Sequence, residues 1–128
     1  MTFTTKIKEE ITSLVPNNII ESRIELLSFL KYTYIIEDNK IKIYIENPNI
    51  ARYIFKLIKA NYNINVNLTI RTQKKFKLKK IFILSLNEKV NIIENDIKEL
   101  DKEIIDSSFE EISSYLRGTF LANGSIND

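Results

Sequence analysis

The stretch that decides the fold is "YLRGTFLANGSIND", Tyr115–Asp128, which holds both glycines of the 128-residue chain, Gly118 and Gly124. Apolar spacing predicts a helix here, on which Gly118 and Ala122 are four residues apart and share one face. Glycine inside a helix costs about 1 kcal/mol relative to alanine, and close packing against a second helix offsets that cost. Gly124 fits the left-handed position that often follows a helix. We therefore predict a helix whose small-residue face meets another helix.

The composition excludes several classes of enzyme. The chain has no cysteine and no histidine, so it has no disulfide, thiol nucleophile, thiolate zinc site or imidazole base. Any hydrolysis would depend on carboxylates, with a divalent cation, or on lysine. No apolar run approaches the ~18 residues of a membrane span. The start of the chain, "MTFTTKIKEE", lacks the apolar centre of a secretory signal, and these observations predict a cytoplasmic protein.

The positive charge is concentrated in one segment. Residues 71–80, "RTQKKFKLKK", hold six of the nineteen basic residues and no acid, whereas the rest of the chain has a net charge of −4. Such a patch is typical of a surface that binds a polyanion such as DNA. The alternative is a solvated hairpin whose lysines discourage edge-to-edge strand pairing. The charges alone leave both interpretations open.

Periodicity predicts elements in the order αα-ββ-α-ββ-α-α, hence an α+β fold with a hairpin sheet and helices on one face. The first two helices cover residues 3–14 and a segment from Ser22, and two strands flank the turn "EDNK". The next helix begins at Pro48 after the cap Asn47.

The second half of the chain contains a hairpin and two further helices. "INVNLTIRT" alternates with period two, which predicts four core-facing residues, Ile64, Val66, Leu68 and Ile70. Its outward residues are Asn65, Asn67, Thr69 and Arg71. Asn87 is the predicted cap of a short helix. The last helix has capping-box spacing at either Ser107–Glu110 or Ser108–Glu111.

The closing helix also carries a family resemblance. "LRGTFLANG" matches the nine-residue signature of LAGLIDADG homing endonucleases at its leucine, first glycine, alanine and last glycine. The longer "YLRGTFLANGSIND" resembles the WhiA family of bacterial sporulation and cell-division regulators. Three other segments resemble the same family, namely "MTFTTKIKEEIT", "IELLSFLKYTYII" and "ENPNIARYIFKLIKANYNINVNLTIRTQKKFKLKK".

The resemblance implies two motif helices side by side at a pseudo-twofold axis, each followed by a curved antiparallel sheet that fits a DNA major groove. It divides the chain into an N-terminal helix (1–20), a first degenerate LAGLIDADG-like repeat (21–106) and the start of a truncated second repeat (107–128). Family members carry a C-terminal helix-turn-helix domain, so an N-terminal fragment or truncated gene product is expected. The implied helix-interface residues are Ser28, Gly118 and Ala122.

The first motif copy, residues 26–34 "LLSFLKYTY", departs from the signature. It has Ser28 at the first glycine and Tyr34 at the last, where a left-handed turn would be costlier. The metal-binding acids of active enzymes correspond to Thr33 and Asn123, which carry no charge, and nearby Lys31 disfavours a cation. Hard cations need anionic oxygen ligands. The resemblance therefore implies no metal, no cofactor and no catalytic residues.

The resemblance implies a non-enzymatic DNA-binding transcriptional regulator linked to sporulation, cell division and chromosome segregation. Its partners would be double-stranded DNA and other transcription or cell-division proteins, with no membrane and no small-molecule substrate, at the nucleoid in the bacterial cytoplasm. The alternatives are a protein-interaction scaffold without DNA binding and a residual homing endonuclease. The expected DNA-binding residues are Asn65, Asn67, Thr69, Arg71, Lys74, Lys75, Lys77, Lys79 and Lys80.

Overall fold

A computed structural model of the chain describes residues 18–74 and 78–125. The helix predicted at 3–14 lies outside them. The described elements, in chain order, are α1 (Ile19–Thr33), β1 (Ile35–Glu37), β2 (Lys40–Ile45), α2 (Pro48–Tyr62), β3 (Asn67–Lys74), β4 (Leu78–Leu86), α3 (Val90–Ile104) and α4 (Phe109–Gly124). This order confirms the predicted α+β fold.

The four strands form one antiparallel sheet in the order β1-β2-β4-β3. Ile41, Ile43 and Ile45 of β2 are fully buried, as predicted from their alternation. They lie opposite Leu86, Leu84 and Phe82 of β4. Because successive side chains of a strand point to opposite faces, these residues define the face that packs against the helices.

Short-range signals place several boundaries as predicted. The β1–β2 turn has Asp38 and Asn39 at φ 52° and 62°, the left-handed pair of a tight hairpin turn. The Asn47 side chain accepts hydrogen bonds from the backbone N–H of Asn49 (2.8 Å) and Ile50 (3.2 Å). Of the two candidate capping pairs, Ser108 and Glu111 form the cap, at 3.2 Å.

Two helix starts differ from the prediction. Helix α1 begins at Ile19 rather than near Ser22, because the Asn18 side chain caps it through the Glu21 N–H at 2.9 Å. Asn87 is not a cap: α3 starts after Lys89, which is left-handed and makes no side-chain cap bond. Helix α3 also continues to Ile104, since buried residues at helical spacing extend along it, namely Ile93, Ile97 and Leu100.

The predicted burial of the third strand is only partly correct. Ile64 is buried, but Leu68 and Ile70 are 52% and 54% exposed. Both do pair with residues of the helix-covered face, Leu84 and Phe82. Strand β3 is the outer strand of the sheet, so it has a neighbour on one side and limited cover from the helices.

The two motif helices end without a left-handed residue. Gly124 is the last residue of α4 and has no positive φ, so its prediction as a left-handed cap is wrong. The helix closes with a tight right-handed turn instead, in which the Ser125 N–H donates to the Ala122 carbonyl at 3.3 Å. Tyr34 follows α1 in an extended conformation (φ −74°, ψ 148°), which avoids the costly turn. None of the helices described here has the length and apolar content needed to cross a lipid bilayer.

Candidate nucleic-acid interface and the helix seam

The sheet has a second face, turned away from the helices, which we call the open face. Its members alternate with the buried residues of each strand in the observed register. They are partly or fully exposed, in contrast to the isoleucines and leucines on the other face. The polar members are Glu37, Lys40, Lys42, Tyr44, Asn67, Thr69, Arg71, Gln73, Lys79 and Ser85.

The predicted DNA-binding residues do not all share this face. Asn67, Thr69 and Arg71 lie on it and are exposed, and Lys79 joins them opposite Gln73. Lys80 pairs with Thr72 and therefore lies on the opposite face.

Asn65 and the hairpin lysines stand apart from this group. Asn65 precedes β3, where its backbone N–H donates to the Glu88 carboxylate at 2.8 Å. The Lys74 backbone pairs with Leu78 at the end of the hairpin. Lys75 and Lys77 are outside the described residues.

Neighbouring side chains organise the cations of the open face. The Arg71 guanidinium lies over the Tyr44 ring, 5.5 Å from its centroid. Lys79 pairs with Glu46 at 2.5 Å, and Lys42 pairs with Glu37 at 3.3 Å. Stacking on an aromatic ring orients a guanidinium while leaving its edge donors available. Arg71 is thus held in place without an acid that would neutralise it.

Sequence reasoning missed Tyr44, Glu46 and Lys42 as parts of this surface. The signal was present, because in "KIKIYIE" these residues alternate with the three buried isoleucines of β2. A broader charge signal was also missed. Residues 48–86 contain nine of the nineteen bases and none of the seventeen acids. They comprise α2, β3 and β4, so the positive charge belongs to one contiguous part of the fold.

Helices α1 and α4 meet at a seam where Gly118 faces Ser28. Gly118 is buried, and a Cβ placed on it would lie 1.9 Å from Ser28 Oγ and 2.2 Å from the Glu25 carbonyl oxygen. The Ser28 hydroxyl donates to that same carbonyl at 3.0 Å. Ala122, one turn further along α4, is partly buried. The two backbones therefore approach as closely as a glycine permits.

A buried polar cluster lies beside the seam. The Glu25 carboxylate is fully buried and accepts a hydrogen bond from Arg117 Nε at 3.2 Å. Arg117 Nη2 in turn donates to Ser114 Oγ at 3.0 Å. Burial raises the pKa of Glu25, and interactions with Tyr53 and Arg117 oppose that rise. The same burial, together with the nearby carboxylate, raises the pKa of the Tyr53 hydroxyl.

The positions that correspond to catalytic acids hold no charge. The Thr33 hydroxyl donates to the Phe29 carbonyl at 2.9 Å, within its own helix, and Asn123 is exposed. Lys31 donates to Asp101 at 2.6 Å, a contact that raises the pKa of the lysine. Within residues 18–74 and 78–125, no group of three or more acidic, histidine or cysteine side chains could hold a metal ion.

Comparisons with known proteins agree with this architecture. The crystal structure of the N-terminal LAGLIDADG domain of DUF199/WhiA superposes with a TM-score of 0.63 at 22% identity, covering 94% of this chain and 58% of that one. I-DmoI in complex with DNA and Mn superposes with a TM-score of 0.51 at 13% identity, covering 82% of this chain and 63% of that one. At these identities the likeness shows the LAGLIDADG-like fold.

The sequence comparisons identify the family. "Probable cell division protein WhiA" of Lactobacillus acidophilus is 36% identical over 98% of this chain and 44% of its own length. The chain thus spans less than half the length of the curated relatives it matches. The profile of the WhiA N-terminal LAGLIDADG-like domain matches residues 21–100. The chain therefore belongs to the family of WhiA N-terminal LAGLIDADG-like domains.

Proposed function

We propose that this chain is a non-enzymatic, DNA-binding part of a WhiA-type transcriptional regulator that acts in bacterial cell division. The open face carries the proposal, because it displays Asn67, Thr69, Arg71 and Lys79 on one side of a rigid sheet. Asparagine pairs with adenine and arginine with guanine in the major groove. Lysines contact phosphates without reading sequence. The protein would act at the nucleoid in the cytoplasm, as the relatives' cell-division name and this chemistry suggest.

The charge distribution supports duplex DNA as the ligand. All nine cations of residues 48–86 lie without an acid in the same segment, which favours a polyanion over a neutral partner. Phosphate contacts release counterions, so affinity should fall steeply with salt. Arg71, oriented by Tyr44, is the described residue best suited to read a base. Lysines 74, 75, 77, 79 and 80 and the amides of Asn65 and Asn67 would add backbone and base contacts.

Reversing two charges of the open face should weaken duplex binding. We expect R71E/K79E to lower affinity for a 20-base-pair duplex by about tenfold or more and to flatten the slope of log K against log salt by about 0.9 per lost phosphate contact. Fluorescence anisotropy across a salt series measures both quantities. The matched control K98E/K102E reverses two charges on α3 and should bind within about twofold of the wild type. Equal effects of the two double variants would favour the scaffold alternative.

Removing the acid that pairs with Lys79 should have the opposite effect. Glu46 neutralises this lysine at 2.5 Å, so E46Q is expected to raise duplex affinity by about two- to threefold at low salt. The control E99Q removes an acid from α3 and should leave duplex affinity unchanged. Tighter binding by both variants would mean that net charge, rather than this ion pair, sets the affinity.

The uncharged residues Thr33 and Asn123 argue against a residual nuclease, because magnesium requires anionic oxygen ligands. We expect supercoiled plasmid to stay intact on incubation with the protein and Mg²⁺ or Mn²⁺. Nicking that EDTA abolishes, and that T33A/N123A also abolishes, would overturn this part of the proposal.

A further inference from the structure

An apolar groove opens between α2 and the outer strand β3, on the helix side of the sheet. It has a volume of about 230 Å³ and is lined by Ala51, Phe55, Leu68, Phe82 and Leu84, with the exposed Arg52 beside them. Ile70, two residues along β3 from Leu68, is 54% exposed and faces the same way. The groove therefore continues along the strand as a row of half-exposed apolar side chains.

Strand β3 also offers backbone hydrogen-bonding groups beside this groove. It is eight residues long, and in the four-stranded sheet of the described residues it pairs with β4 alone. An outer strand presents N–H and C=O groups that can pair with an added strand. In such pairing, main-chain bonds supply affinity and pockets for alternate side chains supply specificity.

The charges around the groove select the chemistry of the occupant. Residues 48–86 include α2, β3 and β4 and contain no acid, so the groove and the strand edge are framed by cations alone. A second copy pairing through its own β3 would place Arg71 and the hairpin lysines against themselves. Like charges directly opposite in a sheet are destabilising. Acidic side chains would instead be complementary.

We propose that β3 and this groove bind an extended segment of a partner protein in which apolar and acidic residues alternate, added to the sheet as a fifth strand. The apolar side chains of the segment lie beside Leu68, Ile70 and Phe55. Its acidic side chains lie on the other face, near Arg71. The alternation follows from the strand geometry, since successive side chains point to opposite faces.

The test uses a fluorescein-labelled octapeptide of alternating isoleucine and glutamate and the 128-residue chain. We expect saturable binding that the isoleucine–lysine octapeptide does not show. Ile70→Glu should weaken binding by about tenfold or more, because it places a charge in the apolar row. Ile92→Glu is the matched control, since Ile92 on α3 is 55% exposed, and it should bind normally. Arg52→Glu, a second surface variant, should also weaken binding.

Thermal melting followed by circular dichroism verifies that the variants are folded, and duplex binding is measured in parallel. Loss of peptide binding in I70E with normal duplex binding supports the proposal, whether or not the DNA function holds. Equal binding of the two peptides, or equal effects of I70E and I92E, would overturn it. A parallel loss of duplex binding in I70E would assign the groove to DNA. A dimer of the chain that I70E dissolves would assign it to a second copy.

Discussion

Gly118→Ala is expected to destabilise the fold by about 3 kcal/mol or more, because the new methyl group meets atoms that cannot all move away. Its Cβ would lie 1.9 Å from Ser28 Oγ and 2.2 Å from the Glu25 carbonyl oxygen. In an open helix the same change would stabilise by about 1 kcal/mol, so the sign of the effect is diagnostic. Urea denaturation followed by circular dichroism gives the free energy of unfolding.

A second substitution separates the two contacts. Ser28→Gly removes the hydroxyl from the seam but leaves the Glu25 backbone in place. The double variant S28G/G118A should therefore remain less stable than S28G alone. Asn123→Ala is the control, an exposed position on the same helix where alanine should be tolerated. A G118A protein as stable as the wild type would contradict the close seam.

Arg117→Ala should cost about 3 kcal/mol at neutral pH, because it leaves the buried Glu25 carboxylate without its cation. Urea denaturation at several pH values measures this cost. The charge, rather than lost packing, is the expected cause. Repeating the substitution in an E25Q background, which has no carboxylate to strand, should therefore reduce the penalty by more than half.

The pH dependence has a defined sign. Burial raises the folded pKa of Glu25 above its ordinary value of about 4.5, so the folded state holds the proton more tightly than the unfolded state. This group therefore makes stability fall as pH rises from the unfolded to the folded pKa. Arg117 opposes the rise in pKa, so R117A should raise it further. The deficit of R117A should shrink below pH 4.5, and a deficit independent of pH would point to packing instead.

Local signals predicted most of the fold. The Asn47–Pro48 start, the Asp38–Asn39 turn and the alternation of the β2 isoleucines depend on a few adjacent residues, and all three are confirmed. The exposure of Leu68 and Ile70 was not predictable in this way. It depends on β3 being the outer strand, which follows from the pairing of distant segments.

The seam could be partly predicted and its polar cluster could not. An interior glycine four residues from an alanine indicates close approach, and the structure places Ser28 and the Glu25 backbone there. Glu25 was missed because a helical glutamate is usually solvated. The available signal was the helix itself: residues 24–30 are all buried, and in such a helix an acid requires a partner. The partner, Arg117, is 92 residues away.

The division of charge described above has a consequence at long range. Positive charge occupies α2, β3 and β4, while α3 and α4 carry seven acids, Glu94, Asp96, Glu99, Asp101, Glu103, Glu110 and Glu111. A molecule divided in this way has a large electric dipole moment. The field of an approaching polyanion exerts a torque on that dipole and turns the basic half forward before any atoms touch. Encounters would then begin in a narrow range of orientations, and added salt would widen that range.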